Sequence, residues 1–224
     1  MQKASTYLSK EALGRVEAAV VDAEKKTSVE IVPVIAAASG RYDRAEDLVG
    51  LWLGAVLMVV AWQIWPAPER DPGDWGGGLF PLAYVLWLVA LIAGFVGGAV
   101  IASRTGWLRR LVTPKREMTE EVRRRAREAF FDQRIHHTAG ATGVLVYVSL
   151  FERTVCILAD ASVMKVLPEG EVDRLCAALT AKMKTAPADG LVETIASLGE
   201  ILSGPLPRAE DDVDELENAV VLID

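Results

Sequence analysis

Cysteine and histidine are scarce in this chain, with two of each in 224 residues. Cys156 and Cys176 share no C-x-x-C or metal-type spacing, which excludes a disulfide scaffold and a thiolate metal site. They read as ordinary buried thiols of a reducing compartment. Positive charge is also short: 24 Lys and Arg stand against 31 Asp and Glu, and the net charge of -7 excludes the basic footprint that nucleic acid requires. No glycine-rich phosphate loop, H-E-x-x-H, G-x-S-x-G or Walker motif occurs, so none of the common motif-defined catalytic machineries is present. The first twenty residues lack an apolar run ahead of a small-residue cleavage site, and no cleaved signal peptide is expected.

Charge is missing altogether from two long stretches. Leu48 to Trp65 has Gln63 as its only strongly polar side chain, and Leu79 to Ala102 has no charge. Each is long enough for a bilayer core, which needs about 20 apolar residues, and neither shows the polar stripe of a helix buried in a soluble core. The expectation is a transmembrane helical hairpin at 48–102, with spans at about 48–65 and 79–102 and no need of a separate leader for insertion. All six tryptophans fall between Trp52 and Trp107. Indole rings favour the headgroup level, so Trp62, Trp65 and Trp75 mark one interface and Trp107 the other. The connecting loop holds one cation, Arg70, whereas Arg41 and Arg44 precede the first span and Arg104, Arg109, Arg110, Lys115 and Arg116 follow the second. By the positive-inside rule both ends are cytoplasmic, and the protein is expected in a bacterial inner membrane. The basic run after the second span suits anionic headgroups. Gly50 with Gly54, and Gly94 with Gly98, form two G-x-x-x-G patches that would lie at similar depth in an antiparallel hairpin. They serve either the hairpin itself or a homodimer.

The remaining residues make one α/β domain split by the hairpin: 1–47, then 103–208, with an acidic tail at 209–224. A helix from Ser9, its N-cap, to Lys26 carries the apolar stripe Leu13, Val16, Val20 and Val21. The β-branched run Ser28 to Ile35 reads as a strand, and Pro33 hints at an edge position or a bulge. After the second span, Pro114 ends any continuation of the membrane helix and a new amphipathic helix runs from about Thr119 to Ile135. Its arginines Arg123, Arg124, Arg125 and Arg127 read first as a solvated face paired with Glu120, Glu121 and Glu128, the alternative being a dedicated ligand site. Gly143 to Leu150 and Thr154 to Asp160 form a hairpin of strands about the Phe151-Glu152-Arg153 turn. Helices at about Glu169–Lys184 and Leu191–Leu202 follow, and the tail is solvated unless its final residues dock as a short strand. A strand reaching a later strand through a helix gives a parallel pair with a right-handed crossover. The fold expected is thus a three-layer-type α/β sandwich, a small mixed sheet flanked by helices and interrupted by the membrane hairpin.

The topology also places chemistry. The hairpin leaves from the C-terminal end of the first strand, so that edge of the sheet, with Glu152 and Arg153, faces the membrane. On the distal edge converge Glu30, the His136-to-Thr142 turn and Asp160. Glu30 and Asp160 offer carboxylates, His137 (or His136) a nitrogen, and Thr142 (or Thr138) a hydroxyl, a donor mix that takes a divalent cation such as Ca²⁺ or Mg²⁺ or assists hydrolysis. Adjacent histidines in an extended segment point to opposite sides, so only one contributes. The simpler reading, which the pattern favours, is that Glu30 and Asp160 cap strand ends and the histidines lie on the surface, and no cofactor beyond such a cation is expected.

Thr27-Ser28-Val29-Glu30-Ile31-Val32, then Gly143 to Leu150, Glu152-Arg153-Thr154-Val155 and Ile157-Leu158-Ala159-Asp160 resemble the TPM domain family in composition and order. The Gly190-Leu191 helix ahead of Pro205-Leu206-Pro207 and the closing Asp214-Glu215-Leu216 are similar to it as well. The resemblance implies an α/β sandwich, often membrane-tethered. Plant chloroplast members are linked to photosystem repair and to phosphatase activity, and some members bind metal. Where many members place an acidic residue before the Gly-Val-Leu strand, this chain has Ala141 and Thr142, which removes a carboxylate ligand. The expectation is a non-catalytic, membrane-anchored module that binds another membrane protein, with the lipid bilayer as its other partner and homo-oligomers compatible with the glycine patches. The alternative is a weak metal-dependent phosphatase.

Overall fold

The computed structural model describes residues 3–66, 73, 82–138, 140–208 and 215–224. Its elements run α1 (Lys10–Glu24), β1 (Glu30–Ala36), α2 (Asp43–Ile64), α3 (Leu82–Arg104), α4 (Gly106–Val112), α5 (Lys115–Asp132), β2 (Gly143–Ser149), β3 (Thr154–Ala159), α6 (Ala161–Val166), α7 (Glu171–Lys182), α8 (Pro187–Ser203) and β4 (Val221–Ile223). The chain divides into two compact units, one of residues 1–40 with 115–224 and one of residues 41–114.

The first unit is built on a four-stranded mixed sheet in the order β3-β2-β1-β4. β1 pairs parallel with β2 and with β4, and β2 pairs antiparallel with β3. Alternation along each strand makes two apolar layers. Ile31, Ile35, Val144, Val146, Val148, Val155 and Ile157 face a core shared with Val16 and Val20 of α1, Leu175 and Leu179 of α7, and Leu191, Ile195, Leu198 and Leu202 of α8. Val32, Val34, Ala36, Leu145 and Tyr147 face Val122, Ala126, Ala129 and Phe130 of α5. Helix, sheet and helix therefore give the expected three-layer α/β sandwich. Ser9 caps α1 by accepting the Ala12 N–H at 3.2 Å.

Several expectations change in detail. Pro33 is not at an edge: β1 is an interior strand and Pro33 pairs with Val146. Its lost donor falls on the β4 side, and β4 reaches only Val34–Ala36. One residue pair earlier on that side, the Ile31 N–H goes to the buried Glu24 carboxylate at 2.9 Å. Proline thus sits where no strand offers an acceptor among the described residues. The α5 helix begins at Lys115, immediately after Pro114, because the missing N–H of a proline costs nothing at a helix start. The short helices α4 and α6 follow no long periodic pattern and were not expected. Val221–Ile223 does dock, as β4 beside β1. Residues 209–214 of the acidic tail, with most of the loop between the two apolar stretches, lie outside the described residues.

In the second unit α2 and α3 are each long and apolar enough to cross a membrane, and only 11% and 17% of their most apolar windows is buried. Large side chains such as Trp52, Ile64, Leu88 and Ile92 point outwards. The buried positions are the small ones, Gly50, Gly54, Ala83, Gly94, Gly98 and Ala102. A Cβ added at Gly54 would stand 2.6 Å from the Leu91 carbonyl oxygen, and one at Gly94 would stand 2.6 Å from Gly54 Cα. Both glycine patches are therefore filled within the hairpin, the first of the two uses open in the sequence. The Arg109 guanidinium, 3.1 Å from Glu46, joins α4 to the first turns of α2. The unit therefore begins at Arg41 and ends at Pro114, wider than the 48–102 of the hydrophobic pattern.

Candidate functional site

Three strand ends form the distal edge of the first unit. Register aligns Glu30 with Gly143, and the Asp160 N–H donates to the Gly143 carbonyl at 2.9 Å, so the starts of β1 and β2 and the end of β3 stand in one row. The turn before β2 closes on itself: the Thr142 N–H donates to Thr138 Oγ1 at 2.9 Å, and Ser162 Oγ donates to the Gly140 carbonyl at 3.0 Å. Gly143 is obligatory, because a Cβ there would collide with the carbonyl oxygen of Ile135. Arg134 and Ala141 bracket the turn with φ of 55° and 48°, left-handed conformations that L side chains resist.

The proposed donors are brought to this edge to different degrees. Glu30 is buried and its Oε1 accepts the Glu215 N–H at 3.3 Å, which ties β1 to the segment leading into β4. Asp160 occupies the N-cap position of α6 without making a cap bond, and its Oδ2 is buried with no hydrogen-bond partner among the described residues. Thr142 is buried. The histidines are not in an extended segment. They lie in a 3₁₀ turn, Ile135–His137, with ring centroids 4.4 Å apart, so both can face one side. His136 packs its ring 4.8 Å from Phe131 and has a buried Nδ1 with no hydrogen-bond partner among the described residues, while His137 is exposed. Among the described residues no three His, Cys, Asp or Glu side chains gather as a metal-binding set.

The opposite edge carries a network that pattern reading missed. Glu152, buried in the turn after β2, accepts the Ser39 and Gly40 N–H groups on Oε1 at 2.9 and 3.2 Å, and the Ser149 hydroxyl donates to its other oxygen. Ser39 Oγ lies 3.1 Å from the Tyr147 hydroxyl and donates to Ser149 Oγ at 2.8 Å. Burial raises the Tyr147 phenol above its ordinary value, the Ser39 bond opposing. One carboxylate thus fastens the chain where it leaves β1 for the second unit. The only sequence signal was an acidic residue three positions after a strand serine.

The basic face of α5 divides in two. Arg124 pairs with Glu121 and Glu128, and Arg125 with Glu128 at 2.8 Å, as expected of a solvated face. Arg123 and Arg127 are exposed and make no ion pair among the described residues, and Phe131, one further turn along, is 60% exposed. Both arginines lie close enough to Cys156 on β3 to oppose the effect of burial, which pushes that thiol up to about 11. Burial raises Cys176 as well, and its sulfur meets the Ile157 N–H of β3. Both thiols are therefore inert packing groups rather than nucleophiles.

The interface tryptophans fall at the ends of the apolar helices. Trp62 and Trp65 are half exposed, and Trp65 accepts the Trp87 indole N–H at 3.1 Å on its carbonyl. Trp87 and Tyr84 stand at that same end in edge contact at 5.1 Å. Trp107 is 69% exposed on α4. Trp75 lies outside the described residues.

No family model matches this chain, and no curated protein matches it either. Among solved structures it is similar to the NMR structure of BA42 protein from the psychrophilic bacterium Bizionia argentinensis, with a TM-score of 0.55 and 20% identity over 99% of both chains. At that identity the likeness speaks for the α/β fold alone.

Proposed function

We propose that this protein is a membrane-anchored, TPM-like α/β domain that binds another protein without catalysing a reaction, in the assembly or upkeep of a membrane complex. The outward apolar faces of α2 and α3 support the anchor. The cations at the Arg41 and Arg104 ends support a bacterial inner membrane with both soluble parts in the cytoplasm.

The observation that carries the binding role is the row Arg123, Arg127 and Phe131 on α5 beside β3, the outermost strand of the sheet. Since Asp160 donates to Gly143, the N–H groups of Cys156 and Leu158 point towards β2, and those of Val155 and Ala159 point away from it. An extended acidic segment matches this face. Its carboxylates meet Arg123 and Arg127 and an apolar side chain covers Phe131, while on the outer side of β3 the Val155 and Ala159 N–H groups flank that of Ile157, which Cys176 already occupies. The test is a photo-crosslinker at Phe131 of the full chain in its native membranes. One adduct is expected, and it should vanish when Arg123 and Arg127 are both changed to Glu. An adduct indifferent to the charge reversal, or none, refutes the reading.

The Asp160 Oδ2, without a hydrogen-bond partner among the described residues and on the same sheet edge as Glu30 two strands away, supports a second reading, a weak metal-dependent phosphohydrolase at that edge. Aryl phosphate turnover by the detergent-solubilised chain with Mg²⁺ or Ca²⁺, lost in both Glu30→Ala and Asp160→Ala, would put this reading in place of the first.

A further inference from the structure

We infer that the second unit holds one anionic phospholipid, an acyl chain lying in the groove between α2, α3 and α4 and the phosphate meeting Arg44 and Arg104. The groove measures about 490 Å³ and lies wholly within this unit. Leu48, Trp52 and Val56, one per turn of α2, form one wall; Ile101 of α3 and Leu108 and Val112 of α4 complete it. That volume falls within the range of small-molecule sites, about 300–1,000 Å³. Every side chain named is apolar, so the body of the groove suits hydrocarbon and offers nothing to a polar ligand.

The polarity changes at one end. Arg44 precedes Leu48 by one turn on α2, and Arg104 follows Ile101 by three residues on α3, so both exposed cations lie beyond the lining residues, past one end of the groove. Of the acidic neighbours on α2, Glu46 is held by Arg109, while Asp43 and Asp47 are exposed, Asp47 three residues on from Arg44, against the exposed cations Arg41, Arg44 and Arg104 at the same end. An apolar trough ending in two cations complements a lipid tail with an anionic headgroup, and basic pockets beside membrane helices recognise such headgroups. Trp52, 68% exposed, keeps the groove open to the surroundings, so a bilayer lipid enters sideways.

This inference rests on the membrane anchor proposed above. The test is native mass spectrometry of the full chain in mild detergent, titrated with phosphatidylglycerol and with phosphatidylcholine of identical acyl chains. One phosphatidylglycerol should be retained in preference, and Arg44→Gln with Arg104→Gln should weaken that preference roughly fivefold per cation removed. Ile101→Trp, a filling change at a half-exposed position, should lower retention of both lipids while the helix content stays unchanged. Equal retention of the two lipids, variants indistinguishable from the parent, or a co-purified protein in the lipid's place overturns the inference. A chain that stays soluble without detergent overturns the anchor itself, a separate and distinguishable failure.

Discussion

Replacing the interface glycines of the hairpin one at a time should separate packing from helix propensity. A Cβ at Gly50 would stand 2.6 Å from the Phe95 carbonyl oxygen, at Gly54 2.6 Å from that of Leu91, and at Gly98 2.8 Å from Gly50 Cα. These neighbours are backbone atoms, so no rotamer change relieves the clash and the helices must part by roughly the width of a methyl group. Overpacking of this kind costs about 1–3 kcal/mol, or about five- to 150-fold in the equilibrium between packed and separated helices. Gly97 supplies the internal control: a Cβ there meets nothing within 4 Å, and alanine is the better helix former. Thermal unfolding of the full chain in micelles, with proximity labels on α2 and α3, should therefore show a loss for Gly54→Ala and Gly94→Ala and none for Gly97→Ala. If Gly97→Ala were as damaging as Gly54→Ala, close backbone contact would not be what holds the hairpin.

Three further outcomes follow from the first unit. Glu152→Ala strands the Ser39 and Gly40 N–H groups and the Ser149 hydroxyl; it should lower stability by about 2–4 kcal/mol and speed tryptic cleavage at Arg41, with Glu152→Gln intermediate. An unchanged cleavage rate would dismiss the clamp. Gly143→Ala drives a methyl into the Ile135 carbonyl and should destabilise by about 1–3 kcal/mol, read from the denaturant midpoint at constant slope. Cys156 should resist alkylation at neutral pH, because only the thiolate reacts and burial holds the thiol at about 11. Its rate, followed by mass spectrometry, should rise about tenfold per pH unit until that value is reached, while a plateau near pH 8 would contradict the burial.

How much could be read in advance differed between the two units. The apolar runs announced α2 and α3 because length and the absence of charge are local properties, whereas the unit reaches from Arg41 to Pro114, beyond the 48–102 of the hydrophobic pattern, because polar contacts such as Arg109 with Glu46 extend it. In the sheet, Gly143–Ser149 and Thr154–Ala159 matched their patterns closely. Pro33 misled because its single-residue rule takes no account of a neighbouring strand as short as β4. The histidine pair misled because the segment is a 3₁₀ turn and not extended, its Ile135 buried against Gly143 at the start of β2. Of the site residues, Glu30, Thr142 and Asp160 were correctly placed on one edge by topology alone, yet burial and bonding partners could not be foreseen.

Periodicity and hydrophobic length, which depend on neighbours a few positions away, determined that this chain folds as an α/β sandwich interrupted by an apolar helical pair. Tertiary structure alone decided how the polar groups are used. It gave Glu152 to the linker, Glu30 to the C-terminal segment and the glycines to the hairpin, and it left Arg123 and Arg127 exposed and without an ion pair among the described residues. The physical reason is that a hydrogen bond or ion pair depends on distances of a few ångströms between residues as far apart in sequence as Ser39 and Glu152, and only the packed chain fixes those distances.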